Sequence, residues 1–459
     1  MSEKESKQIT RRDFIRIASL VSGGAILAAC APAATQAPAA PAATSAPAAA
    51  AAPTTAPAAK AAVTVRATSQ MAVDQLNGFG ATIKDDLAKK NITLDVYQTT
   101  MNNWSEYADK VITQIAGGEQ VDVIMIAIEG IPLLGIKNVL VDLAPYLAAD
   151  PATTNMINTD VPPVLTDMLK YKGKQLEIPF SWNNMILYYN TKIMADAGIT
   201  VPMHMTWDDF LQISQKVAKV TGSASDRYAY NFWSSGVFGW LSWFYQNDGQ
   251  GYLTDDMVNS NLNNPKVAET VQFMADLVLK YKVAPNPKGW DEQGQFLAGN
   301  LVMRTCGRWC IAGLLQNKFT DYDFVYQPHK SGSILTDAGT DGWGVSSKSK
   351  NPNEAYDVAV ALSGPGPSLA MTKLGGNIPA LKSVAAMPEF AQFGPKNTAI
   401  FFESLSGAKA LQAPTNFNIL EPLLDADLAP IWNGEVSVAD GLAKAHADIQ
   451  AEMDKIKGQ

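Results

Sequence analysis

The chain has 459 residues, 47% hydrophobic and 17% charged, with 36 basic against 44 acidic side chains and a formal net charge of −8. That acidic balance disfavours nucleic acid and anionic lipid as partners. The length exceeds what one hydrophobic core usually serves, so two domains or lobes are expected.

The first distinctive stretch is TRRDFIRIASLVSGGAILAAC, residues 10–30. Arg11 and Arg12 precede a nearly uncharged run from Ile17 to Ala29, a charged segment followed by an apolar one. At about a dozen residues the apolar run is too short for a bilayer, which needs roughly 20. Thr10-Arg11-Arg12-Asp13-Phe14-Ile15 resembles a twin-arginine export signal, and Leu27-Ala28-Ala29-Cys30 resembles a lipobox. Residues 1–29 are therefore expected to be removed and Cys30 lipidated, on the outer face of the cell membrane. The mature chain would carry 31 basic and 41 acidic residues, a net of −10. Residues 31–62 hold 19 alanines and 6 prolines among 32 residues. Prolines at that density break helices, so a semi-extended tether is expected, reaching on the order of 100 Å when fully stretched.

From Val63 onward the pattern alternates. VTVRAT (63–68) predicts a strand, 73–90 a helix, and ITLDVY (92–97) a second strand. WSEYADKVITQIAGG (104–118) then sets Trp104, Tyr107, Val111, Ile112 and Ile115 on one helical face. VDVIMIA (121–127) predicts a strand covered on both faces. Strands alternating with helices imply parallel pairing and an α/β fold. Ligands in such sheets sit beyond the carboxyl ends of the strands, which selects Ser69, Gln70, Gln98, Thr99 and Glu129.

Further along, Trp233, Val237, Trp240, Leu241 and Phe244 have helical spacing, which suits a core as well as a ring-lined cleft. Trp243 and Phe244 are assigned to the core; Trp233 and Trp240 stay open between the two, and Trp207 is read as structural. Cys306 and Cys310 in MRTCGRWC lack a matching Cys or His pair, so no zinc site is expected; outside the cytoplasm they could pair across a tight turn, but two buried thiols are the plainer reading. Arg308 between them suits either an acidic sugar or a nearby carboxylate. TDAGTDG (336–342) lacks most ligand positions of a calcium loop. No metal or cofactor is expected. The chain shows no Gly-x-Ser-x-Gly, His-Glu-x-x-His or P-loop, which lowers the case for an enzyme.

Four blocks in order carry a family resemblance. They are YKGKQLEIPFSWNNMILYYNTKIMADAGITVPMHMTWDDF (171–210), FLAGNLVMRTCGRW (296–309), DGWGVSSKSKNPNEAYDVAVAL with GGNIPALKS, and IWNGEVSVADGLAKAHADIQAEM. Together they resemble the family-1 extracellular solute-binding proteins of ABC sugar importers, relatives of the maltose-binding protein. The resemblance implies a two-lobed periplasmic-binding-protein-like (type II) fold, with a hinge and a ligand cleft between the lobes. Chain crossings are expected near Ser181–Asn184 and Gly339–Asp341. The lobes would then be 63–182 with 342–395, and 183–338 with 396–459. Glu129 and Asn183 match polar ligand contacts of the family and Trp309 a sugar-stacking ring. Trp182 and Trp343, beside the crossings, join the candidates with Arg308. The chain departs from the family at Gln175-Leu176, Leu381 and Asn138, which bears on fine sugar contacts.

A pyranose offers an apolar face to an aromatic ring and a rim of hydroxyls to polar side chains. The expected function is carbohydrate capture by lobe closure, with delivery to an ABC permease whose associated ATPase uses the ATP, by a monomer. The competing readings are a surface-anchored enzyme acting on polysaccharide, or the same fold holding a non-sugar solute.

Overall fold

The computed structural model describes residues 62–221, 224–232, 237–287, 289–392 and 394–458. The export signal, Cys30, most of the Ala/Pro-rich segment and Trp233 lie outside the described residues. No helix among the described residues is long and apolar enough to cross a membrane.

The opening alternation forms as its sequence pattern predicts. β1 (Val63–Ser69), α1 (Val73–Lys89), β2 (Ile92–Gln98), α2 (Trp104–Ala116) and β3 (Val123–Ala127) follow one another, with β1 parallel to both β2 and β3. Asn103 caps α2 by accepting the Glu106 N–H, and α1 buries Leu76, Phe79, Ile83 and Leu87 at helical spacing. All five residues of β3 are buried, because α1 covers Val123 and Met125 while α2 covers Ile124 and Ile126.

A small hairpin, β4 (Lys170–Tyr171) and β5 (Lys174–Gln175), precedes β6 (Ile178–Asn184) and β7 (Ile186–Asn190). The chain then adds β8 (Lys219–Thr221), β9 (Ala224–Asn231), β10 (Leu301–Cys306), β11 (Tyr322–Val325), β12 (Thr336–Val345), β13 (Ile378–Pro379) and β14 (Ala408–Ala410). The first sheet has the order β13-β6-β12-β3-β1-β2, with β14 beside β12; the second has the order β11-β7-β10-β9-β8. The protein is thus a two-lobed α/β structure. Its chain leaves the first sheet between Asn184 and Ile186 and returns between Val325 and Thr336.

Each sheet has its own apolar core. The second core takes α3 (Val237–Tyr245), α4 (Phe417–Trp432) and α5 (Val438–Ile456), with Trp240, Trp243, Phe244, Leu420, Leu424 and Ile449 among its buried residues. A further cluster joins Trp182 and Ile378 from the first sheet to Tyr188, Leu301 and Phe324 from the second. The lobes therefore meet through packed side chains as well as through the chain crossings.

Candidate functional site

The site is built on the two long antiparallel neighbours β6 and β12. Side chains alternate across a strand, so Asp337, Gly339 and Asp341 share one face of β12. Asn183 lies directly opposite Gly339, and Ser181 opposite Asp341, so their side chains share that face. Gly339 shows what lies above it. A Cβ there would stand 3.3 Å from Ile128 Cγ2 of the first lobe and 3.0 Å from Phe238 Cε2 on α3. The floor of the cleft is therefore Ser181, Asn183, Asp337, Gly339 and Asp341, with Ile128–Glu129 on one side and Phe238 on the other.

Trp309 extends the second wall. Its partly buried ring lies 5.9 Å from that of Phe238 and directly over Gly307, where a Cβ would come within 1.8 Å of the indole. Only glycine permits that approach. The expectation of two separate thiols is corrected here: Cys306 and Cys310 are joined in a disulfide, with Cα atoms 6.3 Å apart. Cys306 ends β10 and Cys310 begins the helix Cys310–Gln316, so the turn through Gly307–Trp309 folds one back toward the other.

Four carboxylates meet around this floor. Burial pushes Glu129 up to about 8, and the charges of Glu421, Asp341 and Asp337 push the same way. Burial raises Asp337 to about 8 and Asp341 to about 7. Glu421, on α4, is raised to about 7 by burial and by Asp425. Asp341 accepts from Ser181 Oγ at 2.5 Å and from Asn377 Nδ2 at 3.0 Å. Glu421 joins the lobes, accepting from Ser105 Oγ of α2 at 2.7 Å and from the Val237 N–H of α3 at 3.3 Å. Beside it Asn418 donates to Asp109 at 3.0 Å. A groove of about 540 Å³ lies between α2 and α4, lined by Ser105, Glu106, Asp109, Lys110, Asn418 and Pro422 among others. Two buried acceptors on the floor, Asn183 Oδ1 and Asp337 Oδ2, have no hydrogen-bond partner.

Of the sequence-predicted residues, Glu129, Asn183 and Trp309 come together here. Trp233 lies outside the described residues, and the others are placed elsewhere. Trp343 is fully buried opposite Met125 and Ile178 under α1, edge-on to Phe180, so it serves the first core rather than the cleft. Trp240 is 1% exposed, edge-on to Tyr252, with Nε1 donating to Asp425 at 3.2 Å; it serves the second core. Trp182 is fully buried between the lobes, edge-on to Phe402, because it alternates to the opposite face from Ser181 and Asn183. Gln98 is exposed and donates to the Gln70 carbonyl. Among the described residues Arg308 forms no ion pair with a carboxylate: it donates to the carbonyls of Gly376 and Asn377 and lies 4.5 Å from the Phe390 ring centre. Burial lowers that guanidinium to about 10.

Sequence reasoning missed Ser105, Phe238, Asp337, Asp341, Asn377 and Glu421. One signal was present: the alternation Asp337-x-Gly339-x-Asp341 is what a strand would display on one face.

The profile of the family described as bacterial extracellular solute-binding protein matches residues 82–399. An arabinooligosaccharide-binding protein of Halalkalibacterium halodurans is 25% identical over 178 residues, covering 35% of this chain and 38% of that protein. The fold is similar to that of an ABC substrate-binding protein from Listeria monocytogenes in complex with cycloalternan. The TM-score is 0.75 and the identity 21%, over 86% of this chain and 99% of that one. It is also similar to UgpB from Mycobacterium tuberculosis in complex with glycerophosphocholine, with a TM-score of 0.73 and 15% identity, over 86% and 99% of the two chains.

Proposed function

The chain belongs to the family of bacterial extracellular solute-binding proteins, and from that premise we propose that it captures a carbohydrate between its lobes and delivers it to an ABC import permease. The observation that carries this reading is the floor of the cleft. Unpartnered acceptors at Asn183 and Asp337 flank Gly339, over which the Phe238 ring stands with Trp309 5.9 Å beyond it, and a sugar requires such a pairing of hydroxyl acceptors with an apolar face. The relative that binds arabinooligosaccharide and the cycloalternan complex support a saccharide as solute.

The lobes divide as 63–182 with 342–395 and 183–338 with 396–459, and they hinge along β6 and β12. Closure of a monomer on its solute makes the form that the permease reads. Export follows the twin-arginine-type signal, and Cys30 carries the lipid. The Ala/Pro-rich tether then holds the protein near its transporter and raises the effective concentration for docking. The chain performs no catalysis.

Thermal unfolding of the purified protein against mono- and oligosaccharides tests the reading. A solute at 100 times its dissociation constant stabilises by about 2.7 kcal/mol, which is roughly 5 to 10 °C for lobes of this size. A shift with one sugar class, without new reducing ends, is the expected result. The glycerophosphocholine complex of a similar fold favours a non-sugar solute as the second reading. A shift with that compound and none with sugars would establish it.

A further inference from the structure

We propose that the captured solute carries a protonated amine, an amino sugar or an oligosaccharide containing one, seated on the floor between Glu129, Asn183 and Asp337. This rests on the saccharide-capture reading.

The floor is rich in buried acidic groups. Glu129, Asp337, Asp341 and Glu421 are each at most 7% exposed. Among the described residues, none of the four forms an ion pair with a Lys or Arg. The nearby cations have other partners. Lys110, on α2, pairs with Glu106 and donates to the Thr100 carbonyl. Arg308 donates to the Gly376 and Asn377 carbonyls.

The hydrogen-bond inventory leans the same way. Three donors near the floor have acceptors already: Ser181 Oγ donates to Asp341, Asn377 Nδ2 to Asp341, and Ser105 Oγ to Glu421. The fully buried floor atoms without a partner are two acceptors, Asn183 Oδ1 and Asp337 Oδ2, on side chains 8% and 0% exposed. The ladder register turns Asn183 toward the same space as Gly339, between Ile128 and Phe238.

An ammonium group supplies three donors, no acceptor and a positive charge in a compact volume. It satisfies the unpartnered acceptors and lets the acidic groups, which burial otherwise keeps protonated, ionise beside an opposite charge. A hydroxyl donates as well but brings no charge that would let them ionise. A uronic acid brings a further negative charge and is rejected.

Calorimetric titration of the whole protein with three matched series decides the matter: β-1,4-linked glucosamine oligomers, their N-acetylated counterparts and cello-oligosaccharides of equal length. The N-acetyl series keeps the ring and removes the charge. The amine series is expected to bind at least tenfold more tightly than either other series. Asp337→Asn should reduce that preference to less than threefold, and Glu129→Gln provides the same check if the first variant does not fold. Equal or tighter binding of a neutral series overturns the amine while leaving carbohydrate capture standing. No response to any of the three overturns the amine, while the wider saccharide panel decides carbohydrate capture.

Discussion

Glu129 is a carboxyl group whose surroundings hold it far from its ordinary behaviour in water. A carboxyl group raised from 4.5 to about 8 holds a proton in the native protein that it has lost in the unfolded chain across that interval. Its contribution to stability is intact below the unfolded value and declines as pH rises toward 8. Glu129→Gln keeps the shape of the protonated acid and removes the titration. We expect the variant to match the parent near pH 5 and to exceed it at pH 8 by on the order of 3 kcal/mol, read by urea unfolding at both pH values. Equal effects at the two pH values would show that packing, rather than charge, is what the substitution changed. Glu129 was legible in the sequence because the strand-end rule selects it without reference to solvent exposure. Trp343 and Trp240 were not, because a ring's identity does not reveal which face of its element it occupies. For Trp343 that choice is made by ladder register against Met125, a contact between strands more than 200 residues apart in the chain.

At the scale of elements, the turn between β10 and the helix Cys310–Gln316 carries two jobs in three residues. Arg308 reaches the carbonyls of 376 and 377, in the segment leading into β13 of the first sheet, and Trp309 faces Phe238. The disulfide closes this turn at both ends. A bridge closing so short a loop stabilises by about 2 kcal/mol in the chain-entropy account. The double variant Cys306→Ser/Cys310→Ser is therefore expected to unfold several degrees lower. It should also bind its solute about tenfold more weakly, with unchanged far-ultraviolet circular dichroism. Dithiothreitol should reproduce both changes in the parent and neither in the variant; unchanged solute affinity would refute the positioning role of the turn. The early β-α-β-α-β run was plain from periodicity, since each element shows its own spacing of apolar residues. β12 was hidden. Thr336–Val345 is rich in Gly and Asp rather than branched apolar residues, and it is a strand because β3 and β6 pair with it on either side. The disulfide was hidden too, because a four-residue separation does not say whether a turn intervenes.

Across the whole molecule, the contact between α2 and α4 decides how the lobes meet. Glu421 bridges them, taking Ser105 from one lobe and the Val237 N–H from the other, and its carboxyl is raised to about 7 by burial and by Asp425. A group that gains a proton when the lobes meet favours the closed arrangement at low pH, fully below its solvated value near 4.5, and loses that preference as pH rises through 7. Glu129, Asp337 and Asp341, which face the same space and are raised likewise, add to the trend in the same direction. Solute-free protein is therefore expected to populate closed lobes at pH 5.5 and more open ones at pH 8.5. Small-angle scattering would record this as a radius of gyration for the two lobes that starts near the compact value of roughly 21 Å and rises with pH. Glu421→Gln, which keeps an acceptor for Ser105 but cannot ionise, should make that rise smaller. A radius independent of pH in the parent would mean that apolar packing around Trp182, Tyr188 and Ile378 holds the lobes together more strongly than the carboxylates push them apart. The solute would then have to act on that packed cluster, rather than on the charges, to change how often the cleft opens.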